Sequence, residues 1–116
     1  MYTGKLKGKN FEKHAMKHMF TTFLLWFISK KPSHGYDMIK ILNAEHGSDI
    51  VSASNLYPIL KELTKRGLIS SEKKMTGKRA KKLYNITSQG KQALLDAKKM
   101  MRAKPLKLAF LRDMTG

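Results

Sequence analysis

Residues 52–63, "SASNLYPILKEL", set a helical pattern against a helix breaker. Leu56, Ile59, Leu60 and Leu63 recur at the spacing of one helix face, yet Pro58 stands among them without a backbone donor. The conflict resolves if the helix starts late. Ser52 and Ser54 are both natural N-caps, and with Ser54 as the cap Pro58 falls at the end of the first turn, where few intrahelical bonds are lost. Glu62, Lys65 and Arg66 then face solvent, and Gly67 ends the helix at C′. The stretch therefore reads as a helix that opens with three small polar residues, Ser52, Ser54 and Asn55, ahead of a leucine face.

Outward from this helix the chain divides at its punctuation. Upstream, a helix runs from about Asn10, a candidate N-cap, through Phe11, Ala15, Met19 and Phe23 to Ile28, and "SKKPSHG" ends it at Pro32. Its second half is apolar nearly all round, so it has to be covered on more than one face. A second helix, "HGYDMIKILNAEHG", is capped at Ser33, stopped by Gly47 and buries Met38, Ile39, Ile41 and Leu42. A brief strand at Ile50–Val51 follows. Downstream, "LISSEKKM" and "KKLYNIT" flank "TGKRA", which predicts a hairpin turning at Gly77. Thr87 or Ser88 then caps a last helix, "SQGKQALLDAKKMMRAK", with Leu94, Ala97 and Met101 on one stripe. Pro105 bends or interrupts it before the apolar and basic tail "LKLAFLRDM".

Composition narrows the function. The chain has 116 residues, one domain in size, with a net charge of +16 from 24 Lys and Arg against 8 Asp and Glu. Such an excess points to a polyanion, nucleic acid before a membrane surface. Cysteine is absent, which excludes disulfides, thiolate metal sites and Cys nucleophiles. The longest apolar run, residues 19–28, is about half the ~20 residues of a membrane span, and no signal peptide is expected. His14 and His18 stand i, i+4, but no carboxylate completes a metal set. The acids are scattered singly, with no Ser-His-Asp set or phosphate loop, so no enzyme, metal or cofactor is expected.

Helix, helix, helix, strand, strand, helix is the order of a winged helix-turn-helix, a mainly α (α+β) fold. The order gives the opening stretch a purpose. The start of the second motif helix enters the major groove in such folds, and Ser52, Ser54 and Asn55 are small residues with donors and acceptors. Asn55 has the side chain suited to adenine. Exposed amides at the helix start can hold a phosphate. From Lys61 to Lys82 there are nine basic residues against Glu62 and Glu72, a density suited to the DNA backbone. Lys61, Lys78, Arg79 and Lys81 are the candidate phosphate contacts on helix and wing.

The strings "HGYDMIKIL", "LYPILKELTKRGLI" and "GKRAKKLYNIT" followed by "SQG" resemble the PadR family of transcriptional regulators, across roughly residues 21–95. The resemblance implies a homodimeric winged-helix repressor that binds double-stranded DNA, with the third helix and wing on DNA and the C-terminal helix making the dimer. It places the family's two phosphate-contacting tyrosines on Tyr36 and Tyr57, and its basic wing residues on Lys78, Arg79 and Lys81. The single short C-terminal helix is similar to the compact branch, whose members can bind flat aromatic compounds at the dimer interface. There Trp26 would wall an effector pocket. Ala53, Ser54 and Asn55 replace a common Pro-Gly-Thr stretch and Ala80 a common wing proline, departures that bear on the operator more than on the activity.

Plainer readings stand beside these. Tyr36 and Tyr57 can be packed aromatics with surface hydroxyls, Asn55 a helix-start residue, the wing a solvated turn and Trp26 core. The expected organisation is a flexible basic arm at 1–9, a winged helix-turn-helix domain at 10–87 and a dimerisation helix with tail at 88–116. The expected function is a sequence-specific regulator of transcription, a repressor released by a small-molecule effector. It would act as a homodimer on an inverted-repeat operator, in the cytoplasm with the nucleoid. A sequence-tolerant DNA-coating protein is the alternative.

Overall fold

The computed structural model describes residues 5–47, 49 and 51–116, with the side chains of 5–16, 46 and 76 outside the description. Among the described residues five helices and three strands follow in the order α1 (Lys5–Lys30), β1 (Ser33–His34), α2 (Gly35–His46), α3 (Ala53–Lys65), β2 (Ile69–Thr76), β3 (Arg79–Ile86), α4 (Ser88–Arg102) and α5 (Pro105–Thr115). The strands form one antiparallel sheet in the order β1-β3-β2, and the hairpin of β2 and β3 is the wing. The winged helix-turn-helix read from the sequence is the observed fold.

One core joins the parts. Leu24, Leu25 and Ile28 of α1, Met38 and Leu42 of α2, Val51, and Leu56, Leu60 and Leu63 of α3 close on Ile69 and Tyr84 of the wing. In α3 the buried set recurs at i, i+4 and i+7, a single stripe that leaves the other faces to solvent. The helix ends as the sequence indicates. Gly67 takes φ +76°, its N–H donates to Thr64 O, and Leu68 N donates to Leu63 O, the two bonds of a Schellman cap.

Several boundaries differ from the sequence reading. α1 is helical from Lys5, so Asn10 lies inside it, and part of the stretch read as a flexible arm is helix. Ser33 does not cap α2. It belongs to β1, a two-residue strand the sequence does not announce, and its hydroxyl donates to Lys31 O at 2.9 Å. The strand read at 50–51 is not found at Val51, and Ile50 lies outside the described residues. Of the two candidate caps on α4, Thr87 is the one used: its Oγ1 accepts from Gly90 N at 3.0 Å and donates to Gly67 O at 2.7 Å. Gly90 is required there, because a Cβ would stand 2.1 Å from Leu68 O. Pro105 interrupts rather than bends: α4 ends at Arg102, and the tail is a separate helix, α5, with Pro105 in its first turn.

Among its described side chains, α1 is covered on one face only. Leu24, Leu25 and Ile28 are buried, while Met19 is 74% exposed and Trp26 46% exposed. The reading of Trp26 as core is therefore corrected. Its indole packs beside Phe23 at 5.7 Å and under the Lys30 ammonium at 5.4 Å, all on the open side of the helix. Met100, Met101, Leu106, Phe110 and Met114 of α4 and α5 are also exposed.

Candidate nucleic-acid interface

Ser52 is the N-cap residue of α3, so the helix starts earlier than a cap at Ser54 would allow, and Pro58 lies inside it. The cost is limited to one intrahelical bond, the one Ser54 O would have accepted, at a turn open to solvent. Neither serine caps by its side chain. The Ser52 and Ser54 hydroxyls bond each other at 2.9 Å instead, while Asn55 N and Leu56 N donate to Ser52 O at 3.1 and 3.0 Å. Ser52, Ser54 and Asn55 are all exposed, so the first turn of α3 presents uncapped amides and small polar side chains outward.

What holds this helix start in place is a residue the sequence reading passed over. Asn43, near the end of α2, donates through Nδ2 to Val51 O at 2.8 Å and accepts at Oδ1 from Val51 N at 2.7 Å. One side chain thereby satisfies both backbone groups of the residue before the N-cap, and couples the end of the first motif helix to the start of the second. The available signal was only an Asn in a helix interior, where its propensity is poor.

The wing is a regular ladder from Ile69↔Ile86 to Thr76↔Arg79, closed by Gly77 and Lys78. Gly77 has φ +67° and no non-glycine among the described residues has positive φ, the pattern of a type II′ turn. Lys73 stands directly opposite Lys82, and Lys74 opposite Lys81. Like charges so placed destabilise a ladder. Among the described residues only Glu72 offers relief, at 3.9 Å from Lys74. A strand pair that tolerates this repulsion gains when phosphates approach it.

Wing and helices meet at a cleft of about 420 Å³ lined by Gly35, Tyr36, Tyr57, Arg79, Lys81 and Tyr84, among others. Tyr36 and Tyr57 are 42% and 41% exposed at its rim, and Tyr84 forms its buried wall. Burial first, and the neighbouring Tyr57 second, push the Tyr84 phenol above the ordinary tyrosine range. Tyr57 lies so close to Gly35 that a Cβ there would meet its ring at 2.7 Å, which explains the glycine between His34 and Tyr36. The Lys81 ammonium sits 4.3 Å from the centre of the Tyr36 ring.

The structure thus brings Tyr36, Tyr57, Arg79 and Lys81 to one cleft. Ser52, Ser54, Asn55 and Lys61 lie on exposed positions of α3 and its N-cap, and Lys78 lies at the wing tip. Trp26 is on α1 and does not line this cleft. His14 lies outside the described side chains, and His18 is exposed; among the described residues no group of three metal-ligating side chains gathers. Among the described residues no helix is long and apolar enough to cross a membrane.

The family model described as "Transcriptional regulator PadR-like family" matches residues 24–96, which hold α2, α3, the wing and the ends of the helices flanking them. The chain belongs to the PadR-like family of transcriptional regulators. A PadR-like transcription factor from Bacteroides fragilis superposes with a TM-score of 0.75 over 88% of this chain and 98% of its own length, at 22% identity, a likeness of fold. A PadR-like transcriptional regulator from Bacillus cereus reaches a TM-score of 0.69 at 27% identity, covering 84% of this chain and 95% of that one. Bacillus subtilis PadR, solved in complex with operator DNA, is 36% identical over 67% of this PadR-like chain and 45% of its own, with a TM-score of 0.59. No curated protein matches the chain.

Proposed function

We propose that this PadR-like regulator binds double-stranded DNA through the start of α3 and the wing, and represses transcription as a homodimer on an inverted-repeat operator. One observation carries the reading. Two exposed tyrosines and the cations of the wing, Arg79 and Lys81, converge on one cleft beside a helix start made of Ser52, Ser54 and Asn55. Asn55 reads a base edge, with Ser52 and Ser54 beside it. Tyr36, Tyr57, Lys61, Lys78, Arg79 and Lys81 take phosphates, which position the protein without reading sequence. That the Bacillus subtilis relative was solved with operator DNA supports the DNA-binding reading. So does the wing's uncompensated charge.

Release would come from a flat aromatic effector held against Trp26 and its neighbour Phe23, on the apolar face of α1 that a second subunit would cover. Such a protein works on the chromosome, in the cytoplasm with the nucleoid. A sequence-tolerant DNA-coating role is the second reading, and the net charge of +16 favours it. Genomic fragments recovered on the protein, then titrated against bulk DNA over a range of salt, separate the two. A regulator holds its best fragment about a thousandfold or more tighter than bulk DNA. A ratio near one would leave the coating role.

A further inference from the structure

His34 has no part in the phosphate contacts assigned above, yet it ties three elements together. It stands in β1 opposite Leu83 of β3, and its Nδ1 lies 2.7 Å from the carbonyl oxygen of Lys82. A backbone carbonyl only accepts, so Nδ1 carries the proton and donates, which sets both the tautomer and the plane of the ring. That plane stacks on Tyr36 of α2, with centroids 5.4 Å apart and 15° between the rings. The Tyr36 ring also carries the Lys81 ammonium, one residue from the carbonyl that anchors His34. Tyr36 is exposed, and an exposed side chain ordinarily loses rotamer freedom when it grips a ligand. A ring held twice beforehand has less freedom left to lose.

We propose that His34 is a positioning residue for DNA binding. Anchored to the wing through Lys82, it holds the Tyr36 ring in register with Lys81, so that the Tyr36 hydroxyl and the Lys81 ammonium present themselves together to the DNA backbone. His34 itself needs no contact with DNA. The proposal rests on the reading of this cleft as phosphate-facing.

The test is a double-mutant cycle on the full chain, with bulk double-stranded DNA of mixed sequence as the probe, since a phosphate contact is independent of the operator. Tyr36→Phe removes the hydroxyl and should weaken binding about tenfold, the scale of a hydrogen bond to a charged group. His34→Asn keeps an amide donor for Lys82 O but removes the stacked ring, and should weaken binding about three- to tenfold. Added to Tyr36→Phe, the same change should cost less than about twofold more, because the hydroxyl that the positioned ring carried to the DNA is gone. A merely structural His34 would cost equal factors in both backgrounds. Additive losses, or an unchanged affinity for His34→Asn, would overturn the proposal. Should His34→Asn fail to fold by circular dichroism, the cycle is repeated with His34→Phe, which keeps a flat ring but loses the anchor; coupling is again expected, and additivity again overturns. If Tyr36→Phe alone binds like the parent while Arg79→Ala is weakened, the Tyr36 contact is wrong and the proposal falls with it. If none of these variants is weakened, the phosphate-facing reading of the cleft fails.

Discussion

At the scale of single residues, the start of α3 would, on the proposed function, separate base reading from backbone gripping. Asn55 is exposed in the first turn, and its amide can pair with two atoms of adenine, a contact worth ~1–3 kcal/mol of discrimination. Asn55→Ala should relax the preference at one operator position and leave affinity for bulk DNA nearly unchanged, whereas Tyr57→Phe should lower affinity for every sequence alike. A base-by-base binding profile of both variants checks this, and an unaltered profile for Asn55→Ala would pass the reading role to Ser52 and Ser54. Tyr84, the buried wall of the same cleft, makes a prediction about pH. Its folded-state pKa lies above the ordinary value of 10.0. An unfolded tyrosine therefore ionises first as pH rises past 10, while the folded one keeps its proton. The stability tied to the neutral phenol is present in full below that pH and declines above it. Melting curves across the alkaline range should show a shallower decline for Tyr84→Phe than for the parent.

The elements repeat this division of labour. The leucine stripe of α3 presses the helix onto the core, so Leu60→Ala should cost ~2–5 kcal/mol of stability, read by denaturant unfolding. The wing has the opposite character, with exposed cations facing one another across its ladder. Arg79→Ala or Lys78→Ala should weaken binding to all DNA about equally and flatten the salt slope by roughly one unit per lost contact. Loss of one operator with bulk binding intact would make Arg79 a base reader instead. Lys73→Thr should not lower the melting temperature, because Lys73 faces Lys82 across the ladder and removing its charge relieves repulsion.

Taken whole, the molecule gathers exposed apolar side chains, among the described residues, most densely on α1, with Met19, Phe23 and Trp26, and on α4 and α5, with Met100, Met101, Leu106, Phe110 and Met114. Scattered exposed hydrophobics are ordinary on a monomer, whereas gathered ones suit the interface of the proposed dimer. A two-fold dimer would cover them and set two α3 helices about one turn of DNA apart, giving the inverted repeat. Sedimentation at low micromolar concentration should show the dimer, and a folded monomer there would refute it. The single tryptophan reports on the same question. Trp26 emission should shift to the blue as the chain associates and Trp26 leaves water.

How much of this was legible in the residues themselves follows from the range of the interactions involved. The helix order, the turn at Gly77, the Gly67 cap and the leucine face of α3 were all readable. Each rests on a periodicity or a backbone preference expressed within a few neighbouring residues. The strings around Tyr36 and Tyr57 were enough to indicate the family. Contacts between distant segments were not readable. β1 exists only because Ser33 and His34 find β3 some fifty positions later, at Tyr84 and Leu83. Asn43 looked like a weak helix residue until Val51 came within its reach. Trp26 read as core because the second half of its helix is apolar nearly all round, and only the packing of the body decided which side was left open. Charge and local pattern determined what kind of partner this chain meets. Tertiary structure decided which side chains stand together to meet it, because a cleft assembled from α2, α3 and β3 has no counterpart in any single stretch of sequence.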